Sequence, residues 1–505
     1  MSLRDVTLAD IFRRNAQLFS DRTAIVCGLA RVSHRDYLNR AQRLAAGLAA
    51  QGVKPGDRIA VAARNCLEFA DLYGAAALIG AIMLPINWRL NADEMAYVLA
   101  DGAPTLVIVG PEDQSTIAGI QEKLPASAKY FGIGTAAAPF RAFEELTSTG
   151  ASPPAVEVDP DQGYVIIYTA AVDGRPRGAL ISQAGLIAAS MQLVSPWQLD
   201  EGDVALVAVP LFHVTGLGQM FAAQLSGGSS VIMAKFDPAE CARTIEAEKA
   251  TVFAEFAPML MNLLDKAAET GTSLSSLRTV LGLDTAETIG RFEKTYPEAR
   301  FWAVYGQSET SGAVTLSRWR ERPGSAGRPM PLNAVAVVDE LDQPVATGQV
   351  GEIVVRGPAV FCGYWRREED NKVTFRNGWH HTGDMGRFDA EGYLFYSGRS
   401  PAKELIKPGG ENVYPAEVEK AIRDHAAIAE VSVIGVPDPQ WGEAVKAVCV
   451  CRPGKSVLAS DLAEFVASKL ARYKKPKHVV FVDALPKTEA GAIDRAAVKQ
   501  AHGGM

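Results

Sequence analysis

Residues 397–419 read SGRSPAKELIKPGGENVYPAEVE. Pro401 and Pro408 break regular structure, Gly398 loosens the backbone, and Gly409-Gly410 allows positive φ or a close approach to a ligand. No buried strand or helix is built this way. Directly after it, Tyr414-Pro415-Ala416-Glu417-Val418-Glu419 opens an amphipathic helix, with proline near the first turn and acids where the helix dipole favours them. By composition the stretch is a linker between two bodies. The chain is therefore expected to divide into residues 1–398 and 399–505. At 505 residues it also exceeds the roughly 250–300 at which a single core stops growing.

N-terminal to the linker the pattern alternates. LADIFRRNAQLF (8–19) has helical periodicity, TAIVCG and RVSHRDY carry strand-like runs, and YLNRAQRLAAGLAAQG returns to helix before Gly52. RIAVAA is a buried strand, residues 66–80 a helix of small side chains, and a second strand ends at Pro85. Such alternation predicts the α/β class, with doubly wound parallel sheets. Residues 111–160, rich in Ala, Ser, Thr and Pro, are expected to be a surface excursion. Residues 326–365 suit a small β-rich subdomain, and the part after 399 a small mobile α+β domain.

Composition excludes several classes. A formal charge of −7 supplies no basic field for nucleic acid or anionic membrane. Six scattered cysteines without a CxxC pair argue against a disulfide framework or a zinc ribbon and for a reducing compartment. No secretory pattern precedes Arg4 and Asp5, so a cytoplasmic location is expected. Residues 204–234 hold no charged side chain, yet Pro210, His213, Gln219 and several glycines interrupt them. They read as strand, loop, helix and strand in a core, not as an integral membrane segment.

Several motifs carry chemistry. Residues 169–178 read TAAVDGRPRG after the strand GYVIIY; residues 207–218 read VAVPLFHVTGLG; FWAVYGQSET spans 301–310. WHHTGD closes at Asp384, Arg399 follows, YKKPK spans 473–477, and LPKTEAGAIDR spans 485–495. In this order, from about Leu8 to Arg495, they resemble the AMP-forming acyl-CoA ligase superfamily, the adenylate-forming acyl- and aryl-CoA synthetases.

The resemblance implies roles. Thr169, Gly174 and Arg177 belong to a loop around the ATP phosphates. Tyr305 packs on adenine beside Gly306 and Gln307, Ser308 bonds the α-phosphate, and Glu309 ligates Mg²⁺. Ser308 and Glu309 are thus the expected catalytic residues. Asp384 and Arg399 contact the ribose, for which a carboxylate that accepts from vicinal hydroxyls is well suited. Phe212 and His213 border the acyl pocket, while Lys403 or Glu404 is the hinge. Gly409, Gly410, Trp441, Tyr473, Lys475 and Lys477 face CoA. Val304 stands where dicarboxylate-using members carry arginine, so a fatty or aromatic acid is expected and not a dicarboxylic one.

Three departures bear on activity. Ala170, Ala171, Val172 and Asp173 replace hydroxyl residues and a glycine of the phosphate loop. Each lost charge-assisted bond is worth about 1.5–3 kcal/mol. A carboxylate at about 5 Å from a phosphate is repelled by about 3 kcal/mol at an effective dielectric near 20, unless it holds Mg²⁺. Gly282-Leu283-Asp284 departs from the small-residue adenine shelf. Ala492 stands where the family has the lysine of the adenylation step, and loss of such a preorganised charge costs on the order of 10²–10³ in rate.

The implied reaction takes a carboxylic acid, ATP and CoA, with Mg²⁺, through acyl-AMP to the thioester; a homodimer is compatible with such a chain. The opposing reading is a catalytically degenerate protein that binds nucleotide or acyl-CoA. A third is an enzyme that loads the pantetheine of a carrier protein.

Overall fold

The computed structural model of the chain describes residues 6–150, 152–169, 175–399, 405–487 and 493–504. Capping sets many of the helix starts. Thr7 accepts from the Asp10 amide and Asp10 returns the bond, which starts the helix Leu8–Leu18; Asn91 and Glu94 do the same for Ala92–Gly102. The helix Leu67–Ile79 is buried along nearly its whole length and stops at Gly80, in the left-handed region with φ 65°.

Among the described residues two large sheets dominate. One runs, in spatial order, through 328–329, 312–318, 300–307, 279–283, 252–256, 204–207, 229–232, 23–27 and 30–33. Its strands from 300–307 to 23–27 are all parallel, and antiparallel strands close both edges. The other runs through 363–364, 177–182, 163–169, 82–85, 58–62, 106–109, 129–132 and 141–142, and its strands from 163–169 onward are parallel. Helices 34–50, 67–79 and 214–226 pack with both sheets into one apolar core that includes Tyr37, Tyr73, Tyr164 and Phe221. The charge-free run 204–234 is thus strand, loop, helix and strand. No helix among the described residues is long and apolar enough to cross a membrane.

The interval 111–160 differs from the expected surface excursion. It supplies the helix Gln114–Ile120, the strand Lys129–Gly132 and the edge strand Arg141–Ala142. The reason is packing: Ile117, Phe131 and Leu146 are each fully buried. A four-stranded antiparallel sheet of 334–338, 351–356, 380–388 and 394–399 follows. Residues from 406 onward build cores of their own around Ile406, Val418, Val433, Val448 and Val498, with strands 428–438, 442–451 and 478–481 in a separate sheet.

Candidate active site

Two antiparallel pairings deliver most of the expected nucleotide residues to one place. Strand 300–307 ends in Tyr305, Gly306 and Gln307, and a short 3-10 turn carries Ser308 and Glu309. Gly306 is obligatory, since a Cβ there would lie 2.0 Å from the carbonyl oxygen of Gly312 on the paired strand. Strands 380–388 and 394–399 place Asp384 directly opposite Arg399. Tyr305 Oη donates to Asp384 Oδ2 at 2.8 Å, Gln307 Nε2 donates to the same oxygen, and Tyr396 stacks on Tyr305 at 6.2 Å.

Arg399 Nε stands 2.8 Å from Asp384 Oδ1 without hydrogen-bond alignment, so among the described residues both atoms are buried and unbonded. The guanidinium also donates from Nη1 to Tyr414 Oη at 2.8 Å. It stays charged: burial opposes the charge, but Tyr414 and Asp384 together hold its pKa above the ordinary value.

Glu309 joins the turn after strand 300–307 to the end of strand 163–169. Its Oε1 accepts from Thr169 Oγ1 and Tyr364 Oη, both at 3.0 Å. The Arg177 guanidinium lies over the Tyr364 ring at 4.2 Å and pairs with Asp370 at 3.4 Å. Thr169, Arg177 and Glu309 are therefore neighbours, whereas Gly174, Asp173 and the rest of 170–174 lie outside the described residues, as do Lys403, Glu404 and Ala492. A carboxylate with a hydroxyl beside it is a hard-oxygen set of the kind Mg²⁺ accepts, and the second Glu309 oxygen is not used by these bonds.

Phe212 is buried and meets Trp88 edge-on at 6.4 Å. His213 caps the helix Val214–Ser226 by accepting from the Thr215 amide at 3.2 Å, and its ring packs on Phe256 at 5.3 Å. Burial first, then the charges of Arg89 and Lys407, lower its pKa to about 4, so the ring is neutral at pH 7. Gly410 (φ 83°) sits against Phe256, where an added Cβ would be 3.1 Å from the phenylalanine Cβ. Gly409 donates to the Trp441 carbonyl at 2.9 Å, and Glu411 ion-pairs with Arg89. The glycine pair, Trp441, Phe256 and His213 thus converge across the two regions.

The lysines expected from YKKPK to face CoA are ion-paired within the C-terminal region. Lys475 pairs with Glu464 and Lys477 with Asp438, each at 2.5 Å, beside half-buried Tyr473. Lys474, which the motif reading passed over, is buried between Glu94 and Glu417. Motif reading also missed Tyr364, Tyr396, Tyr414 and Lys407. Lys407 is open to the cleft, yet desolvation, with Arg399 adding repulsion, lowers its pKa, and Asp384 and Glu443 face it. Its signal was a lysine two residues before the double glycine. On the supposed adenine shelf, Asp284 lies beside the fully buried Glu255 and raises its pKa, after burial itself.

Among the described residues no three His, Cys, Asp or Glu gather as a metal cluster. The family model described as AMP-binding enzyme matches residues 12–365, and that described as AMP-binding enzyme C-terminal domain matches 417–492. A feruloyl-CoA synthase of Amycolatopsis sp is 33% identical over 496 residues, 97% of this chain and 98% of that one. A candidate long-chain-fatty-acid CoA ligase from Rhodopseudomonas palustris CGA009 is 57% identical, with a TM-score of 0.76 over 79% of this chain and 100% of its own. The o-succinylbenzoate CoA synthetase (MenE) of Bacillus subtilis is 27% identical. The structure of its double mutant with the product analogue OSB-NCoA gives a TM-score of 0.86 over 97% of this chain and 98% of its own. Its structure with the acyl-adenylate OSB-AMP gives 0.70 over 98% and 99%. The chain belongs to the AMP-binding enzyme family and, within it, to the AMP-forming acyl-CoA ligases, which are acid–thiol ligases.

Proposed function

We propose that this ligase activates a fatty or aromatic monocarboxylic acid with ATP and passes the acyl group to CoA. One observation carries the nucleotide half. Asp384 Oδ1 and Arg399 Nε are a buried ion pair, 2.8 Å apart without an aligned hydrogen bond. A single hydroxyl that donates to one and accepts from the other satisfies both, and leaving them unmade costs about 1–3 kcal/mol per group. A ribose supplies such a hydroxyl, with Tyr305 and Tyr396 as apolar surfaces nearby.

In the first step a carboxylate oxygen of the acid attacks the α-phosphorus and the bond to pyrophosphate breaks. Ser308 and Glu309 lie on the turn next to Thr169 and Arg177, which gather the phosphates. Mg²⁺ held by Glu309 would supply charge neutralisation of those phosphates. In the second step the CoA sulfur attacks the acyl carbon and the bond to AMP breaks. The Arg399 guanidinium gives that end of the cleft positive charge as the AMP phosphate leaves. Neutral His213 with Phe212 and Phe256 makes the acyl side apolar, which favours an uncharged chain or ring. Gly409, Gly410 and Trp441 would line the CoA approach, with Tyr473, Lys475 and Lys477 toward its phosphates. Residues 1–398 are the adenylation domain and 399–505 the mobile one, hinged at Lys403 or Glu404.

Ala492 and the altered 170–173 run predict slow adenylation. They also favour the second reading, a degenerate nucleotide or acyl-CoA binder. The test is AMP release with Mg·ATP, CoA and a panel of aromatic, medium-chain and long-chain acids, run beside the Ala492→Lys variant. Release with at least one acid, raised about 10²-fold in the variant, is the expected outcome. Silence of both chains with every acid, while nucleotide still binds, would establish the binder instead.

A further inference from the structure

Lys474 is 2% exposed and lies at the seam between residues before 399 and those after 405. Its Nζ is 2.7 Å from Glu94 Oε1 and 2.9 Å from Glu417 Oε2. Each carboxylate is fixed by the start of its own helix. The second oxygen of Glu94 accepts from the Asn91 amide at 2.9 Å, and that of Glu417 from the Tyr414 amide at 3.1 Å. Neither can follow the lysine, so the ammonium registers how the helices Ala92–Gly102 and Pro415–Arg423 stand to one another.

Other links cross the seam, and they are weaker constraints. Arg89–Glu411 sits at the rim, with the arginine side chain 36% exposed, and Asn91 Nδ2 donates to the Lys469 carbonyl at 3.0 Å. Exposed pairs are screened and tolerate slack, whereas a buried ammonium that loses one of two carboxylates is left undercompensated. Glu417 belongs to the same region as Lys474 and moves with it. Only Glu94 is left behind when the C-terminal region reorients.

We propose that Lys474 and Glu94 are a positioning pair that latches the C-terminal region in the arrangement described here, and so favours thioester formation over adenylation. This rests on the reading of residues 399–505 as a mobile body. It does not depend on which acid is used. Glu94 is a positioning residue and touches no substrate: it acts through Lys474, which is also held by Glu417.

The experiment measures the distance between spin labels at exposed Leu29 and Leu458, each replaced by cysteine, in the full chain with exposed Cys362 replaced by serine. Glu94→Gln keeps an acceptor for the helix cap and removes the charge. It is expected to lower the fraction of molecules at the distance of this arrangement at least threefold, as is Lys474→Met. The double exchange Glu94→Lys with Lys474→Glu keeps one cation and two carboxylates at the site and is expected to restore that fraction. With preformed acyl-AMP supplied, acyl-CoA formation by Glu94→Gln should fall about tenfold and recover in the double exchange.

Coincident distance distributions for wild type and Glu94→Gln overturn the latch, whatever the activities. Should Lys474→Met fail to fold, Glu94→Gln and the double exchange still decide. If no chain, wild type included, makes acyl-CoA while the distance shifts appear, the latch is supported and the proposed function is not.

Discussion

Glu255 is fully buried against Asp284, and burial first, then that neighbour, raises its carboxyl pKa well above 4.5. The folded chain therefore keeps a proton that the unfolded chain releases above about pH 4.5, so this group's contribution to stability is full below that pH and declines as pH rises. A glutamine side chain at this position would carry no such proton. Thermal melts from about pH 5 to 8 should fall with pH more steeply for wild type than for Glu255→Gln. Parallel curves would mean that Glu255 is ionised in the folded protein. At this scale the strings YGQSE and TGD were legible because one strand or one turn presents each of them. Tyr364, Tyr396 and Lys407 were not, because each meets the cleft from a different segment and none has a local string that marks it.

The glycine pair shows what an element adds. Gly409 and Gly410 both have positive φ, 58° and 83°, and Gly410 has Phe256 against the place a Cβ would take. Alanine at 410 meets a left-handed penalty of about 1–2 kcal/mol and a contact that must open by a few tenths of an ångström. Gly410→Ala is expected to slow acyl transfer from supplied acyl-AMP to CoA about tenfold and to leave AMP binding intact. Equal loss of both, measured by AMP titration beside the transfer assay, would show that the loop supports the whole cleft. The same scale explains the misread interval 111–160: its strands hold four and two residues, too few to give a periodic signal.

Over the whole molecule the question is how the two regions stand. The chain is nearer in shape to MenE with OSB-NCoA, at a TM-score of 0.86, than to MenE with OSB-AMP, at 0.70. Small-angle scattering of the full chain with CoA should therefore fit the arrangement described here. A non-hydrolysable acyl-AMP analogue without CoA should shift the profile. Identical profiles under both conditions would remove the reading of residues 399–505 as a moving body and leave the pocket chemistry untouched.

The sequence alone determined the alternation of strands and helices and the family, because hydrophobic period and motif order are local properties of the chain. Only the tertiary structure decided the partners. Asp384 is held by Tyr305 and Gln307 from another sheet, and Lys475 and Lys477 already have carboxylates. Glu94 and Lys474 are 380 positions apart. Pairings of this kind depend on which faces pack when both regions close on each other, and no window of sequence contains both halves of such a pair.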